Sequence, residues 1–317
     1  MSLRSPLVSI CLPVYNGDNY VSQAIRSIVG QSFEDFELII SDNASTDGTS
    51  IICLDAAAHD SRVRYHRADR NRGLAWNHNR AFELARSPYI AWIGHDDLME
   101  RDYIRQCVEG LTKDPGAVLS YTNSTYIDEE GKLIRLVSRP NSGASDRPSK
   151  RFYDILHDGM CDPIYGLMKR DILIQTHLHR GFADSDRVLL AEMGLRGRFH
   201  SVKGHLFSRR IHPEASSRKY KGLRERTITI FDPAKSGQIF SPVALETRAL
   251  LSAIHQVRLP FKERVRCYRS LVAWLWTDHI STLPENLRER ASRTLKSYLS
   301  AEQVLRLKAA KARLLKI

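Results

Sequence analysis

The chain has 317 residues, 42% of them apolar and 26% charged. That balance excludes a mainly disordered protein, which would lack the apolar residues for a core. It also excludes a spanning helix, because the most lipid-like stretch, residues 271–276 (LVAWLW), falls far short of the ~20 apolar residues a bilayer needs.

Residues 7–14 are apolar, but Pro13-Val14-Tyr15-Asn16-Gly17 reads as a strand entering a turn rather than as a secretory leader. Five cysteines, an odd number with no close pair, read as buried reduced thiols and place the chain in the cytoplasm. The net charge is +12, and residues 245–317 carry most of it, with 15 Lys and Arg against 6 Asp and Glu. A basic tail of this kind suits nucleic acid, an anionic membrane face, or solvent alone.

The first 130 residues alternate between two patterns. Short apolar runs rich in β-branched residues occupy 7–13, 36–41, 63–66, 89–93 and 117–121. Between them, residues 20–29, 49–58, 74–85 and 103–111 place apolar side chains three or four apart. Near-continuous apolar strands alternating with amphipathic helices predict a parallel sheet covered on both faces. The turns agree: Ser45-Thr46-Asp47-Gly48 supplies cap residues for the second helix, and Asp114-Pro115-Gly116 ends the fourth.

Beyond Asp128 the alternation stops. Glu129-Glu130-Gly131-Lys132 reads as a hairpin turn and residues 139–150 as a polar loop. Helix is expected at 151–157 and 185–195, a strand at 199–211, and a basic loop at 212–221. From residue 245 the pattern is helical, broken near Pro260 and Pro284, with an apolar face that includes Leu299 and Leu305. The expected division is 1–240 as one α/β domain, in halves 1–127 and 128–240, followed by a basic helical extension over 241–317.

In a sheet of this kind ligands bind beyond the carboxyl ends of the strands. The turns there are Tyr15-Asn16-Gly17, Asp42-Asn43, Ala68-Asp69-Arg70-Asn71 and Gly94-His95-Asp96-Asp97, and three of the four carry a carboxylate. Adjacent carboxylates at Asp96 and Asp97 repel each other in a semi-enclosed cleft and call for a cation or a set of donors. Hard divalent ions take oxygen ligands and bring diphosphates with them. The plain alternative is capping of the helix at Tyr103. For Asp42 the alternative is an Asx turn.

Read together, these segments resemble the inverting glycosyltransferases of family 2. Residues 8–16 (VSICLPVYN) resemble that family's opening strand, and Asp42 to Thr49 its second turn. Asn71-Arg72-Gly73-Leu74-Ala75-Trp76-Asn77 resembles its Asn-x-Gly helix start, and Ala91 to Asp97 its metal motif. The resemblance implies the GT-A nucleotide-diphospho-sugar transferase fold, a mostly parallel sheet with flanking helices.

It also implies roles. Pro13, Tyr15 and Asn16 would line the base pocket and Asp42 would hydrogen-bond the nucleobase. Asp69, Arg70 and Asn71 would lie beside the nucleotide and Asp96 near the ribose. Asp97, with Asp96 and His212, would hold Mn²⁺ or Mg²⁺ against the diphosphate, with Arg210 nearby. Gly94 stands where many members carry an acid, which leaves Asp97 as the main protein ligand.

Counting back from Gly197-Arg198-Phe199 aligns Asp186 with the family's general base, which takes the acceptor proton. Asp184 is one register shift away. Ser185 departs from the usual Glu, and without the resemblance an aspartate here is an ordinary helix N-cap.

The activity implied is transfer of a hexosyl or N-acetylhexosaminyl group from a nucleotide-diphosphate sugar, UDP-linked first. The acceptor would be a hydroxyl of a glycan or lipid-linked saccharide, with peripheral contact between the basic tail and an anionic membrane face. Three other readings compete. A sugar nucleotidyltransferase would need a Gly-rich loop after the first strand, where only Gly17 stands. A basic nucleic-acid-binding protein would need a reader motif, and none is visible, so no nucleic-acid partner is expected. A dinucleotide oxidoreductase would need G-x-G-x-x-G after the first strand.

Overall fold

The computed structural model describes residues 5–138, 142–158, 161–220 and 222–279. The chain opens with β1 (Val8–Val14), α1 (Val21–Val29), β2 (Phe36–Asp42), α2 (Thr49–His59), β3 (Val63–Arg67), α3 (Leu74–Leu84) and β4 (Tyr89–Trp92). A short β5 (Leu98–Met99), α4 (Tyr103–Lys113) and the long β6 (Ala117–Ile127) follow. Next come β7 (Leu133–Val137), α5 (Pro148–His157), β8 (Leu167–Lys169), α6 (Arg170–Leu173), α7 (Ser185–Arg196) and β9 (Arg198–Arg210). The described chain ends with α8 (Ser216–Lys219), α9 (Leu223–Arg226), α10 (Pro242–Gln256) and α11 (Phe261–Trp274).

The sheet order is β3-β2-β1-β4-β8-β6-β9-β5, with β7 on β6. The first four strands are all parallel, in a register that sets Val14 beside Asp42 and Cys11 beside Trp92. Every residue of β1 and β2 is buried, as expected of strands covered on both faces. On one face α1 buries Val21, Ala24, Ile25 and Ile28, one apolar stripe at helical spacing.

Beyond β4 the pairing is mixed. β8 runs antiparallel to β4 and β6, while β6 and β9 are parallel along most of their length. The hairpin expected at residues 129–132 joins β6 to β7, with Gly131 at φ 86.

The loop expected over 139–150 ends earlier, because α5 starts at Pro148. Proline suits the first turn of a helix, where its missing N–H has no partner to lose, and Ser149 N–H is taken by Glu263 Oε2 at 3.0 Å. The basic loop expected over 212–221 contains one helical turn, α8. Neither Asp96 nor Asp97 caps α4. That helix begins after β5, with Asp102 at its N-cap position.

Helices α10 and α11 share a core with the main body. Leu250, Ile254, Leu271 and Trp274 pack in one cluster with Phe152, Val188 and Leu189 of α5 and α7. The apolar face read around Leu299 and Leu305, and the break at Pro284, lie outside the described residues. No helix among the described residues is long and apolar enough to cross a membrane. All five cysteines are free, and only Cys161 is partly exposed.

Candidate active site

A cleft of about 730 Å³ opens at the carboxyl ends of β1, β2 and β4. Turns after three strands build its floor. After β1, Asn16 adopts φ 50 and donates its N–H to Ser45 Oγ at 3.0 Å, while its Oδ1 accepts from Thr46 N–H at 2.8 Å. Gly17 lies so close to His95 that a Cβ would stand 2.4 Å from the ring.

After β2, Asp42 is fully buried. Its Oδ1 accepts from Ser45 N–H and Oγ at 2.8 and 2.6 Å, and its Oδ2 accepts from Tyr65 OH at 2.6 Å. The third turn holds Gly73 at φ 89, where a Cβ would stand 2.5 Å from Phe231 O, so glycine is needed on both counts. Asn77 staples the three elements together, donating to Ser41 O at 2.7 Å and accepting from Ser41 Oγ at 2.7 Å.

At the end of β4 the chain turns through Gly94 into Asp96 and Asp97. His212 Nε2 lies 3.0 Å from Asp96 Oδ2, and Arg210 N–H donates to Asp97 Oδ1 at 3.0 Å. The other two oxygens converge: Asp96 Oδ1 and Asp97 Oδ2 lie 2.7 and 2.8 Å from the point where a Cβ of residue 94 would stand. Glycine at 94 therefore makes room for both carboxylates.

Burial alone would raise the Asp96 carboxyl. The His212 hydrogen bond and the His95 and His212 rings outweigh it and hold that group at about 2. Burial and the charge of Asp96 push Asp97 well above the usual carboxylate range, against Arg209 and the Arg210 N–H. Two hard carboxylate oxygens packed side by side against Gly94 at the cleft, with substrate oxygens to complete the shell, fit a divalent cation. No three His, Cys, Asp or Glu side chains among the described residues form a closed metal site.

Most of the residues read from the sequence meet here. Pro13, Tyr15, Asn16, Asn71, Asp96, Asp97, Arg210 and His212 all line the cleft. Asp42 does not, and its oxygens are occupied within the fold. Asp69 lies outside the cleft, paired with Arg72 at 2.8 Å, and Arg70 is exposed beyond its rim.

Arg210 lines the cleft with its side chain already engaged. Its guanidinium donates to Asp96 O, Asp128 O, Glu129 O and Gln23 Oε1 at 2.7–3.0 Å and lies over the Tyr20 ring, so it is committed to holding the cleft wall. The neighbouring Arg209 faces the cleft and pairs with Asp162 at 3.0 Å. Sequence reading missed Arg209, Lys219 and Tyr165, which also line it. Strand alternation was the available signal for Arg209, since adjacent residues of β9 face opposite ways.

Asp184 and Asp186 do not line the cleft. Tyr165 lies within electrostatic reach of Asp96, Asp97 and Asp186. Asp184 sits at the N-cap of α7 with φ 64, and its Oδ1 accepts from Arg226 at 3.0 Å. Burial and the nearby Asp184 raise the Asp186 carboxyl, opposed by the Arg187 N–H and by the charges of Arg187 and Arg226.

On the opposite wall His78 donates from Nδ1 to Leu74 O at 3.0 Å and packs on His179 at 4.6 Å between centroids. His179 is buried, edge-on to Trp92, and among the described residues neither of its ring nitrogens has a hydrogen-bond partner. Burial pushes His78 down to about 4 and His179 well below the usual range.

Both rings fold neutral, so the unfolded chain binds protons that the folded chain cannot. Stability falls as pH drops through the window between 6.5 and about 4. His78 alone accounts for a loss on the order of 3 kcal/mol, and His179 adds to it in the same direction. Chemical denaturation across that window should give a shallower slope for His179→Phe than for the natural chain. Equal slopes would remove the pair from the account.

The pattern described as glycosyl transferase family 2 matches residues 9–176. The chain is 37% identical over 131 residues to chondroitin synthase of Escherichia coli, covering 41% of this chain and 19% of that protein. It is 33% identical over 131 residues to hyaluronan synthase of Pasteurella multocida, covering 41% and 13%. The chain thus spans less than a fifth of the length of these curated relatives.

Among solved structures, S. aureus TarS 1–349 in complex with UDP-GlcNAc superposes with a TM-score of 0.64 at 12% identity, covering 96% of this chain and 87% of that one. The mannosyltransferase PcManGT from Pyrobaculum calidifontis, in complex with GDP-Man and Mn²⁺, gives 0.56 at 17% identity, covering 99% and 81%. The fold is the GT-A type of sugar-transferring domains. The chain belongs to glycosyl transferase family 2.

Proposed function

We propose that the chain moves a sugar from a nucleotide-diphosphate sugar, UDP-linked first, to a hydroxyl of a glycan or lipid-linked saccharide, with inversion. The observation that carries this reading is the convergence of Asp96 Oδ1 and Asp97 Oδ2 on the Gly94 cradle, at the carboxyl end of β4. Solved neighbours in complex with UDP-GlcNAc and with GDP-Man and Mn²⁺ support it.

Pro13, Tyr15 and Asn16 would receive the base, and Asn71 would lie beside the nucleotide. Asp42 acts one step back, fixing the Ser45 turn that in turn holds Asn16. Asp97 and Asp96 would hold Mn²⁺ or Mg²⁺, which when bound offsets the charge growing on the leaving diphosphate. His212 orients Asp96, and Arg209 and Lys219 add fixed positive charge to the same cleft.

Asp186 is the favoured base because Asp184 is tied to Arg226. As the acceptor oxygen attacks the anomeric carbon, its proton passes to Asp186 and the carbon–oxygen bond to the diphosphate breaks. The basic tail would rest on an anionic membrane face, where lipid-linked acceptors reside.

A thermal-shift screen tests this reading. UDP or GDP with Mn²⁺ at a hundred times its dissociation constant should raise the melting point by about 5 °C, and less without the cation. Stabilisation by duplex DNA or NAD, and by no nucleoside diphosphate, would overturn it.

A further inference from the structure

The start of α7 gathers three carboxylates and two arginines from distant parts of the chain. Arg226 donates to Asp184 Oδ1 at 3.0 Å, and Thr227 Oγ1 accepts from Ala183 N–H at 3.0 Å, so the segment before α10 grips the helix start from one side. Arg187 turns the other way. Its guanidinium donates to Glu246 Oε1 of α10 at 3.1 Å and lies 5.5 Å from the centroid of the Trp274 ring of α11. Glu246 is buried, and Arg187 is nearly so.

The pairing is complete for two of the three acids. Asp184 has Arg226 and Glu246 has Arg187. Among the described residues no cationic side chain forms an ion pair with Asp186, whose Oδ1 takes only the backbone N–H of Arg187 at 2.9 Å. Yet Arg187 is its neighbour in sequence. Freed from Glu246, that guanidinium would have Asp184 and Asp186 within reach, and Asp184 already holds Arg226. An ion-paired Asp186 would be a poor proton acceptor.

We propose that Glu246 is a positioning residue that draws Arg187 away from Asp186 and so keeps the Asp186 carboxylate open to the acceptor hydroxyl. Helices α10 and α11 are then part of the catalytic unit. This inference rests on Asp186 as the base.

The test measures turnover of whichever UDP- or GDP-sugar the full chain accepts. Assayed above pH 8, where the Glu246 carboxyl, raised by burial to about 8 against the Arg187 charge, is ionised, Glu246→Gln keeps the shape and removes the charge, and should lower kcat about tenfold with donor KM within about twofold of the natural value. Adding Arg187→Met to Glu246→Gln removes the displaced cation and should restore kcat to within about threefold. A purely structural role would make the double variant no faster than the single one, and that result overturns the proposal. So does an unchanged kcat in Glu246→Gln.

Should Glu246→Gln fail to fold, Arg187→Met alone decides. The proposal requires it to retain kcat within about threefold, and a dead enzyme refutes it. Asp186→Asn separates the two layers. Activity in that variant removes the base assignment itself. An inactive Asp186→Asn beside a fully active Glu246→Gln removes only the positioning role.

Discussion

Asp186→Asn is expected to lower kcat for sugar transfer by about a thousandfold while leaving UDP affinity within about twofold, the range for removing a general base without touching substrate binding. The substitution is isosteric, and an asparagine Oδ1 can still accept the Arg187 N–H that Asp186 accepts at 2.9 Å. The start of α7 should therefore keep its shape. The raised carboxyl also fixes the sign of the pH dependence. A base must be ionised to act, so kcat should fall on the acid side, with its midpoint above the ordinary aspartate value. Steady-state kinetics with a UDP-sugar and calorimetric titration with UDP check both parts. Full activity in Asp186→Asn would move the role to another group, Asp184 first.

Asp97→Asn removes one of the two oxygens that meet at Gly94. Transfer falls by about a hundredfold or more, the scale of losing one element of charge stabilisation at a leaving group. Cation-dependent nucleotide affinity falls with it. Stability moves the opposite way. In the free protein the buried Asp97 carboxylate lies beside the part-exposed Asp96, and burial together with the Asp96 charge pushes Asp97 upward. An amide there keeps the hydrogen bond from Arg210 N–H at 3.0 Å and removes the repulsion. The melting point of the unliganded variant should equal or exceed that of the natural chain, as expected where a functional site stores unfavourable charge. Scanning calorimetry without ligand checks this. A large drop would show that Asp97 is a structural residue.

The parallel half of the fold was legible because its strands are nearly continuous apolar runs, and because Gly73, Asp47 and Asp114 punctuate the helices between them. β5, β8 and β7 were not, at two, three and five residues. Strands so short carry no period of their own, and the first two exist because β9, β4 and β6 offer edges far away in sequence. Helix α5 begins at Pro148 because a proline that ends one helix can start another, and sequence alone does not say which.

In the site, Asp96 and Asp97 were readable from their place after a buried strand. The meaning of Gly94 was not. In sequence it is a missing acid, and in the fold it is the space into which two carboxylates turn. Arg209 and Arg210 show the same limit. Both line the cleft, but only the fold shows that the Arg210 guanidinium is taken up by the wall while Arg209 pairs with Asp162. Tyr165 lies in a short turn over Asp162–Tyr165 with no pattern to mark it.

The most direct test is a titration of Mn²⁺ followed by electron paramagnetic resonance, in the presence of UDP and then of GDP. The natural chain should withdraw free Mn²⁺ in a nucleotide-dependent manner, at about one ion per chain, and Asp97→Asn should not. Equal withdrawal by both proteins, or none with either nucleotide, would contradict the assignment of this cleft to a cation-held sugar donor.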